Sequence, residues 1–165
     1  MTALPPSLVE DTWNELNADP AFARTTISAF RQAQPVLSGF LRAADDHLSE
    51  IGGERGSLLM IGVWAWLAFR KAGGATLAIT EERVEAAFDA NQLILGGLEE
   101  SDEKNVMDAA SDWTETYPQM PLLAGILQHL SGGDPVTDDP RGVDDILGLM
   151  MLYSKTAIDC LHAAG

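Results

Sequence analysis

Cysteine is almost absent from this chain, because Cys160 is the single thiol among 165 residues. One thiol cannot form a disulfide within the chain, and the first six residues lack the basic region and apolar core of a secretory signal. We therefore expect a cytoplasmic protein that folds without disulfides. The apolar neighbours Ile158 and Leu161 predict that the thiol is a small core residue and not a nucleophile.

Basic residues are scarce as well: 10 Lys and Arg stand against 25 Asp and Glu, for a formal net charge of −15. Most of this charge lies in residues 83–165, which hold fifteen acids and four bases. Such a chain repels the phosphates of nucleic acids and of anionic lipids, so we predict no nucleic-acid partner and no membrane partner. The longest uncharged apolar stretch, residues 58–69, is shorter than the roughly 20 residues that cross a bilayer and predicts a buried core helix.

Catalytic motifs are missing too. The chain contains no Gly-x-Ser-x-Gly segment and no glycine-rich phosphate loop that opens a helix after a strand. Neither a hydrolase nucleophile nor a nucleotide site can be assembled from these residues. We therefore predict no catalytic residue and no cofactor, and the sequence argues against an enzyme.

What the sequence does contain is a succession of helix signals, with no sustained alternation of apolar and polar residues. Acidic residues and prolines mark helix starts, as in Asp19-Pro20, and Ser7 with Glu10 forms a capping-box pattern. Three pairs of adjacent glycines mark helix ends. We predict an all-α fold in which residues 1–165 form one domain, a bundle of about eight helices, with the sixth beginning at Ser101.

The two halves of the chain resemble each other when one is shifted by 86 residues against the other. Residues 35–41 then lie on residues 121–127 with four identities. We hypothesise that residues 7–74 and 80–163 are diverged four-helix repeats about a pseudo-two-fold axis, with the fourth and the eighth helix at the centre. The alternative is that helical hairpins resemble each other by chance.

Several glycines fall inside predicted helices, where each costs roughly 0.5–1 kcal/mol relative to alanine. The 86-residue shift pairs Gly39 with Gly125 and Gly62 with Gly148. Close approach of two helices is one reason for such a glycine, and room for a ligand beside the backbone is another. Close packing is the more common reason, and it predicts that Gly62→Leu destabilises the protein by overpacking its core.

Three residues on the predicted helices are candidates for a pocket or a polar core. Asn91 lies on the apolar stripe of the fifth helix, where a buried amide is either a structural hydrogen-bonding residue or part of a pocket. Trp64 and Trp66 point to different sides of the fourth helix, about 200° apart. We interpret both as core residues, of which one could line a cavity or an interface.

Two pairs of a histidine and a carboxylate are weaker candidates, in this case for a metal site. His47 and Glu50 are three residues apart and share a helix face, and Asp159 and His162 repeat this spacing in the opposite order. Two such pairs that face each other in a bundle would hold a dinuclear metal site. The further inward-facing glutamates of such a site are missing from the apolar stripes, so we predict no metal ligand.

These observations support three functional hypotheses. The first is a non-enzymatic helical protein-interaction or regulatory domain that forms a homodimer or binds a protein partner through an exposed apolar face. The second is a small-molecule-binding bundle with an enclosed pocket between the two repeats, lined by Trp64 or Trp66 and by Asn91. The third and weakest is a metal-dependent enzyme that uses the His/carboxylate pairs.

Overall fold

The computed structural model describes residues 2–74, 77–99, 116–131 and 140–165. Within these residues the chain forms seven helices and no strand, which confirms the predicted all-α class. The helix predicted from Ser101 lies outside the described residues. The helices are α1 (Pro6–Ala18), α2 (Pro20–Ala33), α3 (Pro35–Glu50), α4 (Ser57–Lys71), α5 (Glu81–Glu99), α6 (Met120–Ser131) and α7 (Pro140–Ala163). Among them, none combines the length and the apolar character needed to cross a bilayer.

Prolines begin four of the described helices, because their fixed φ suits the first turn and their missing N–H group needs no partner there. α2 starts as predicted: the Asp19 carboxylate accepts hydrogen bonds from the N–H groups of Ala21 at 2.8 Å and Phe22 at 3.3 Å. α1 begins at Pro6 without a side-chain cap. The capping box predicted from Ser7 is therefore wrong, because the proline starts the helix one residue earlier and Ser7 lies within the first turn.

The start of α4 depends on a carboxylate from another helix. Gly56 precedes α4 with a φ of 90°, a left-handed conformation that glycine adopts without strain. Asp45 of α3, 3% exposed, accepts hydrogen bonds from the N–H groups of Leu58 at 2.9 Å and Leu59 at 3.0 Å. Burial raises the pKa of Asp45, and these backbone hydrogen bonds act in the opposite direction. Asp45 thereby joins the two helices at their connection.

α4 and α7 lie at the centre of the bundle. α4 packs against α1, α2, α3 and α7, and α7 packs against α3, α4, α5 and α6. α4 is buried nearly all round, with Trp66 and Phe69 among its fully buried side chains, as the apolar stretch at residues 58–69 predicts. The centre is therefore packed, and the cavities lie where outer helices meet it.

A buried glutamine holds the segment that leads into α5. Gln34, directly before α3, accepts a hydrogen bond from the N–H of Ile79 at 2.9 Å and donates one to the carbonyl of Leu77 at 2.8 Å. Its side chain is 1% exposed. One amide thereby satisfies two backbone groups that lie two residues apart on an irregular segment.

A second glutamine makes the same pair of bonds to the segment that leads into α1. Gln119, directly before α6 and 1% exposed, accepts a hydrogen bond from the N–H of Leu4 at 3.1 Å. It donates one to the carbonyl of Thr2, also at 3.1 Å. Each glutamine thus clamps the other half of the chain, Gln34 the segment before α5 and Gln119 the segment before α1.

Candidate binding groove

An open cavity of about 1800 Å³ lies between α1, α2, α4, α6 and α7, and we name it the tryptophan groove. Its outer edge includes Ala124 and His129, which are exposed, so the cavity is a trough and not an enclosed pocket. Its lining is mainly apolar and includes three methionines: Val9, Trp13, Ile27, Leu59, Met60, Ile61, Trp64, Met120, Gly125, Ile146, Leu147 and Met150. The groove thus lies between helices of the first half and helices of the second half.

Three rings form the floor and one side of the groove. Trp64 is 2% exposed, and its Nε1 donates a hydrogen bond to the carbonyl of Val9 at 2.9 Å. The ring of Trp13 lies 4.7 Å from that of Trp64 and 4.1 Å from that of His129, measured between centroids. A row of rings therefore runs from the core to the surface, with Trp64 fixed at its inner end.

The four helical glycines that the 86-residue shift pairs divide into two kinds. A Cβ at Gly125 would lie 3.3 Å from Trp64, so glycine allows α6 to approach the floor of the groove. A Cβ at Gly62 would collide with a side chain of α3. At Gly39 and Gly148, in contrast, a Cβ would meet nothing within 4 Å. Close packing therefore explains two of these glycines and leaves the other two without a packing reason.

Charged residues of both signs line the opening of the groove. Glu10 and Glu54 are the acids, Arg31 and Arg55 are the bases, and all four are exposed. Arg55 also pairs with Asp46 at 3.4 Å. Since the signs balance, the apolar lining and not the rim determines what the groove can bind.

A buried polar cluster joins α5 to α7 outside the groove. Asn91, 2% exposed, donates a hydrogen bond to Asp159 at 2.9 Å and accepts one from Lys155 at 2.7 Å. Lys155 also donates to Asp159 at 2.7 Å, and the Tyr117 hydroxyl donates to it at 2.6 Å. Burial, together with the Asp159 charge, raises the pKa of Tyr117 far above its ordinary value. Asn91 thus has the partners that a structural amide needs, and it does not line the groove.

Trp66 lies on α4 away from the groove. Its ring centroid is 5.6 Å from that of Phe30, and the guanidinium of Arg70 lies 4.8 Å over it. Its Nε1 is buried without a hydrogen-bond partner among the described residues. Of the three predicted pocket candidates, the groove therefore contains Trp64 and neither Trp66 nor Asn91.

The His/carboxylate pairs lie in different settings. His47 and Glu50 are exposed on α3. Asp159 belongs to the polar cluster, while His162 Nδ1 accepts a hydrogen bond from Gln119 at 2.9 Å, and burial lowers the pKa of this histidine. The described part of the chain holds no group of three or more His, Cys, Asp or Glu that could bind a metal ion. The two pairs therefore do not combine into a dinuclear site there.

The sequence analysis did not identify Trp13 as a candidate lining residue. The sequence nevertheless contains a similarity between α1 and α5, which appears at a shift of 75 residues and not 86. This shift aligns α1 with α5 and gives two identities, an aromatic pair and an Asn/Asp pair. The matched residues are Val9, Glu10, Trp13 and Asn14 on Val84, Glu85, Phe88 and Asp89.

Compared with models of protein families, with curated proteins and with solved structures, the chain shows no match. Its function therefore has to be inferred from the geometry and chemistry of its own cavities.

Proposed function

We propose that this protein is a non-enzymatic protein-interaction domain that binds an amphipathic helix of a partner protein in the tryptophan groove. The observation that carries the proposal is the open trough of about 1800 Å³ whose lining combines Trp13, Trp64 and three methionines. Amphipathic helices dock in apolar grooves of this kind through side chains spaced at i, i+3, i+4 and i+7.

The size of the groove favours a helix over a small molecule. Pockets for small molecules usually measure about 300–1,000 Å³ and enclose most of the ligand surface. The tryptophan groove is larger and open on one side. A helix is about 10–12 Å across and rises about 1.5 Å per residue, so a segment of roughly 10–15 residues would fill the trough.

The lining chemistry also suits a helix. Met60, Met120 and Met150 come from α4, α6 and α7, so flexible thioether side chains lie on three walls. Trp64, which is 2% exposed, is held by its hydrogen bond to Val9 and supports the ring of Trp13, whose partly exposed face offers an apolar surface. A fixed aromatic floor with adaptable walls can accept the irregular apolar face of a helix.

We also infer that residues 7–74 and 80–163 are diverged copies about a pseudo-two-fold axis. The reciprocal clamps of Gln34 and Gln119, which are 85 residues apart and so one residue out of the 86-residue register, support this relation. So does the packing: α1 on α4 corresponds to α5 on α7, α3 on α4 to α6 on α7, and α1 on α6 to α5 on α3. On this relation the tryptophan groove, between α1 and α6, has an equivalent between α5 and α3.

The proposal is tested with a labelled helical peptide as the probe. The peptide is a roughly 16-residue amphipathic sequence of leucine, glutamate and lysine without net charge, and binding is followed by fluorescence anisotropy. Ala124→Trp places a large side chain in the groove from an exposed position. Ala43→Trp is the matched control, because Ala43 is exposed on α3 and lines no part of the groove.

We expect the wild type and Ala43→Trp to bind the peptide equally and Ala124→Trp to bind at least about tenfold more weakly. A peptide of the same composition without an apolar stripe should not bind. Equal binding by Ala124→Trp would contradict the proposal. Binding of dodecanoate without binding of the peptide would favour the small-molecule hypothesis, and a dimer that Ala124→Trp dissociates would replace the partner helix by a second copy of the chain.

A further inference from the structure

A second cavity, of about 460 Å³, lies between α3 and α5, and we name it the acidic groove. Its apolar part is formed by Val36, Phe40, Val84 and Phe88. The rings of Phe40 and Phe88 meet edge to face with centroids 5.7 Å apart, and Val36 is 36% exposed. None of the residues that line this groove lines the tryptophan groove, so the two cavities are separate.

Gly39 of α3 lines the acidic groove and has no packing reason to be glycine. Glycine is one of the weakest helix formers, and a helix tolerates it where a Cβ would obstruct something. At Gly39 a Cβ would meet nothing within 4 Å. Close packing therefore does not explain Gly39, and its exposed position beside the cavity leaves room for a ligand there.

The walls of this groove match two walls of the tryptophan groove. Gly39 and the start of α3 correspond to Gly125 and the start of α6. On the other wall, Val84 and Phe88 of α5 correspond to Val9 and Trp13 of α1 at the same spacing. An arrangement that forms a helix-binding trough in one half is thus repeated, in a narrower form, in the other.

The rim of the acidic groove differs from that of its counterpart. Glu81, Glu85 and Asp89 recur every four residues along α5, which places them in a row about 12 Å long. All three are exposed, and none forms an ion pair with a described residue. The lining contains no lysine or arginine, in contrast to the balanced rim of the tryptophan groove.

We propose that the acidic groove is a second docking site, which takes a basic amphipathic helix of a protein partner. Apolar side chains of that helix pack beside Gly39 against Val36, Phe40 and Phe88, and Lys or Arg residues four apart face Glu81, Glu85 and Asp89. At about 460 Å³ the cavity itself has the size of a small-molecule pocket and takes only a few side chains of a helix. A small organic amine, however, would neutralise only one carboxylate of the row. A helix with one basic face meets all three, and the net charge of −15 attracts it.

The test uses the full chain and a fluorescein-labelled peptide of leucine and lysine, roughly 16 residues long, with lysines spaced by four along one face. Gly39→Trp adds a large side chain beside the groove, at a position where a Cβ meets nothing within 4 Å, so we expect the variant to fold with an unchanged or higher thermal midpoint. The triple variant Glu81→Gln, Glu85→Gln and Asp89→Asn removes the charge and leaves the apolar cleft.

We expect Gly39→Trp and the triple variant each to weaken peptide binding at least about tenfold, and the affinity to fall steeply between about 50 and about 500 mM salt. These comparisons are made in an Ala124→Trp background, which blocks the tryptophan groove. In that background Ala21→Trp, at an exposed position of α2 that lines neither groove, should leave binding unchanged. Loss of binding in Ala124→Trp with full binding in Gly39→Trp would overturn the proposal. Unchanged binding in both Gly39→Trp and the triple variant would also overturn it. The same holds if phenylethylamine binds as tightly as the peptide.

Discussion

The two glutamine clamps allow a quantitative test of how the halves of the chain are joined. We consider Gln34→Met and Gln119→Met, because methionine has a similar length and volume and cannot make the two hydrogen bonds. Each variant leaves one backbone N–H group and one carbonyl without its partner, at Ile79 and Leu77 in the first case. The bonds to the N–H groups are the buried ones in both clamps.

A buried N–H group that loses its acceptor costs about 1–3 kcal/mol, and a partly buried carbonyl that water can reach costs less, about 1 kcal/mol. We therefore expect each variant to lower the free energy of unfolding by about 2–4 kcal/mol. For a chain of this length that corresponds to a fall in Tm of roughly 4–16 °C. Gln119 also donates to His162, so Gln119→Met should lose at least as much as Gln34→Met.

Urea denaturation followed by far-UV circular dichroism measures these changes, provided that the m-value stays constant. The control is Gln92→Met, an exposed position on α5, which should change the free energy of unfolding by less than about 0.5 kcal/mol. The reasoning would be refuted if both clamp variants matched this control. A large loss in only one of them would show that the clamps are not energetically equivalent.

Four further predictions concern single buried groups. Asp45→Ala should lower the free energy of unfolding by about 2–3 kcal/mol, because two N–H groups at the start of α4 lose their acceptor. Its control, Asp46→Ala, should change that free energy by less than about 0.5 kcal/mol in the same urea titration. Ser154→Ala should leave the stability unchanged or raise it, since its buried hydroxyl has no partner among the described residues; a loss above about 1 kcal/mol would argue against this. Burial raises the pKa of Cys160 to about 12, so an aromatic disulfide reagent should react with the thiol only after urea unfolds the protein. Burial lowers the pKa of His162 in the folded protein, so below about pH 6.5 the unfolded chain binds a proton that the folded chain does not. The free energy of unfolding should therefore fall as the pH drops towards about 5. His162→Gln should flatten this pH dependence in thermal melts.

Local signals in the sequence predict most of the helices, because their causes are local. The missing N–H group of proline, the carboxylate of Asp19 and the apolar run at residues 58–69 all act within one turn or one helix. The start of α4 could not be predicted in this way. Its cap is Asp45, thirteen residues before Leu58, and only the folded arrangement brings the two together.

The candidate site was predicted less well, because a groove is a property of several helices at once. Trp64 was recognised as a residue that could line a cavity, yet its position beside Trp13 follows from the packing of α1 on α4. Asn91 was placed correctly on a buried face, but its partners come from α7 and include Lys155, which helical periodicity alone does not reveal. Periodicity predicts which face of a helix is buried, but only the tertiary structure shows which residues pack against that face.

On the proposed repeat relation the two grooves have corresponding walls and different rims, and the difference between the rims connects the grooves to the uneven charge of the chain. Residues 83–165 hold fifteen acids against four bases, and Glu85 and Asp89 of α5 belong to that excess. At the matching positions of α1, Glu10 is also acidic but Asn14 is neutral, and arginines balance the rim. Changes at a rim alter the electrostatic choice of partner while leaving the apolar contacts in place. On the proposed repeat relation, the two helix-binding units therefore differ in their choice of partner through substitutions at their rims.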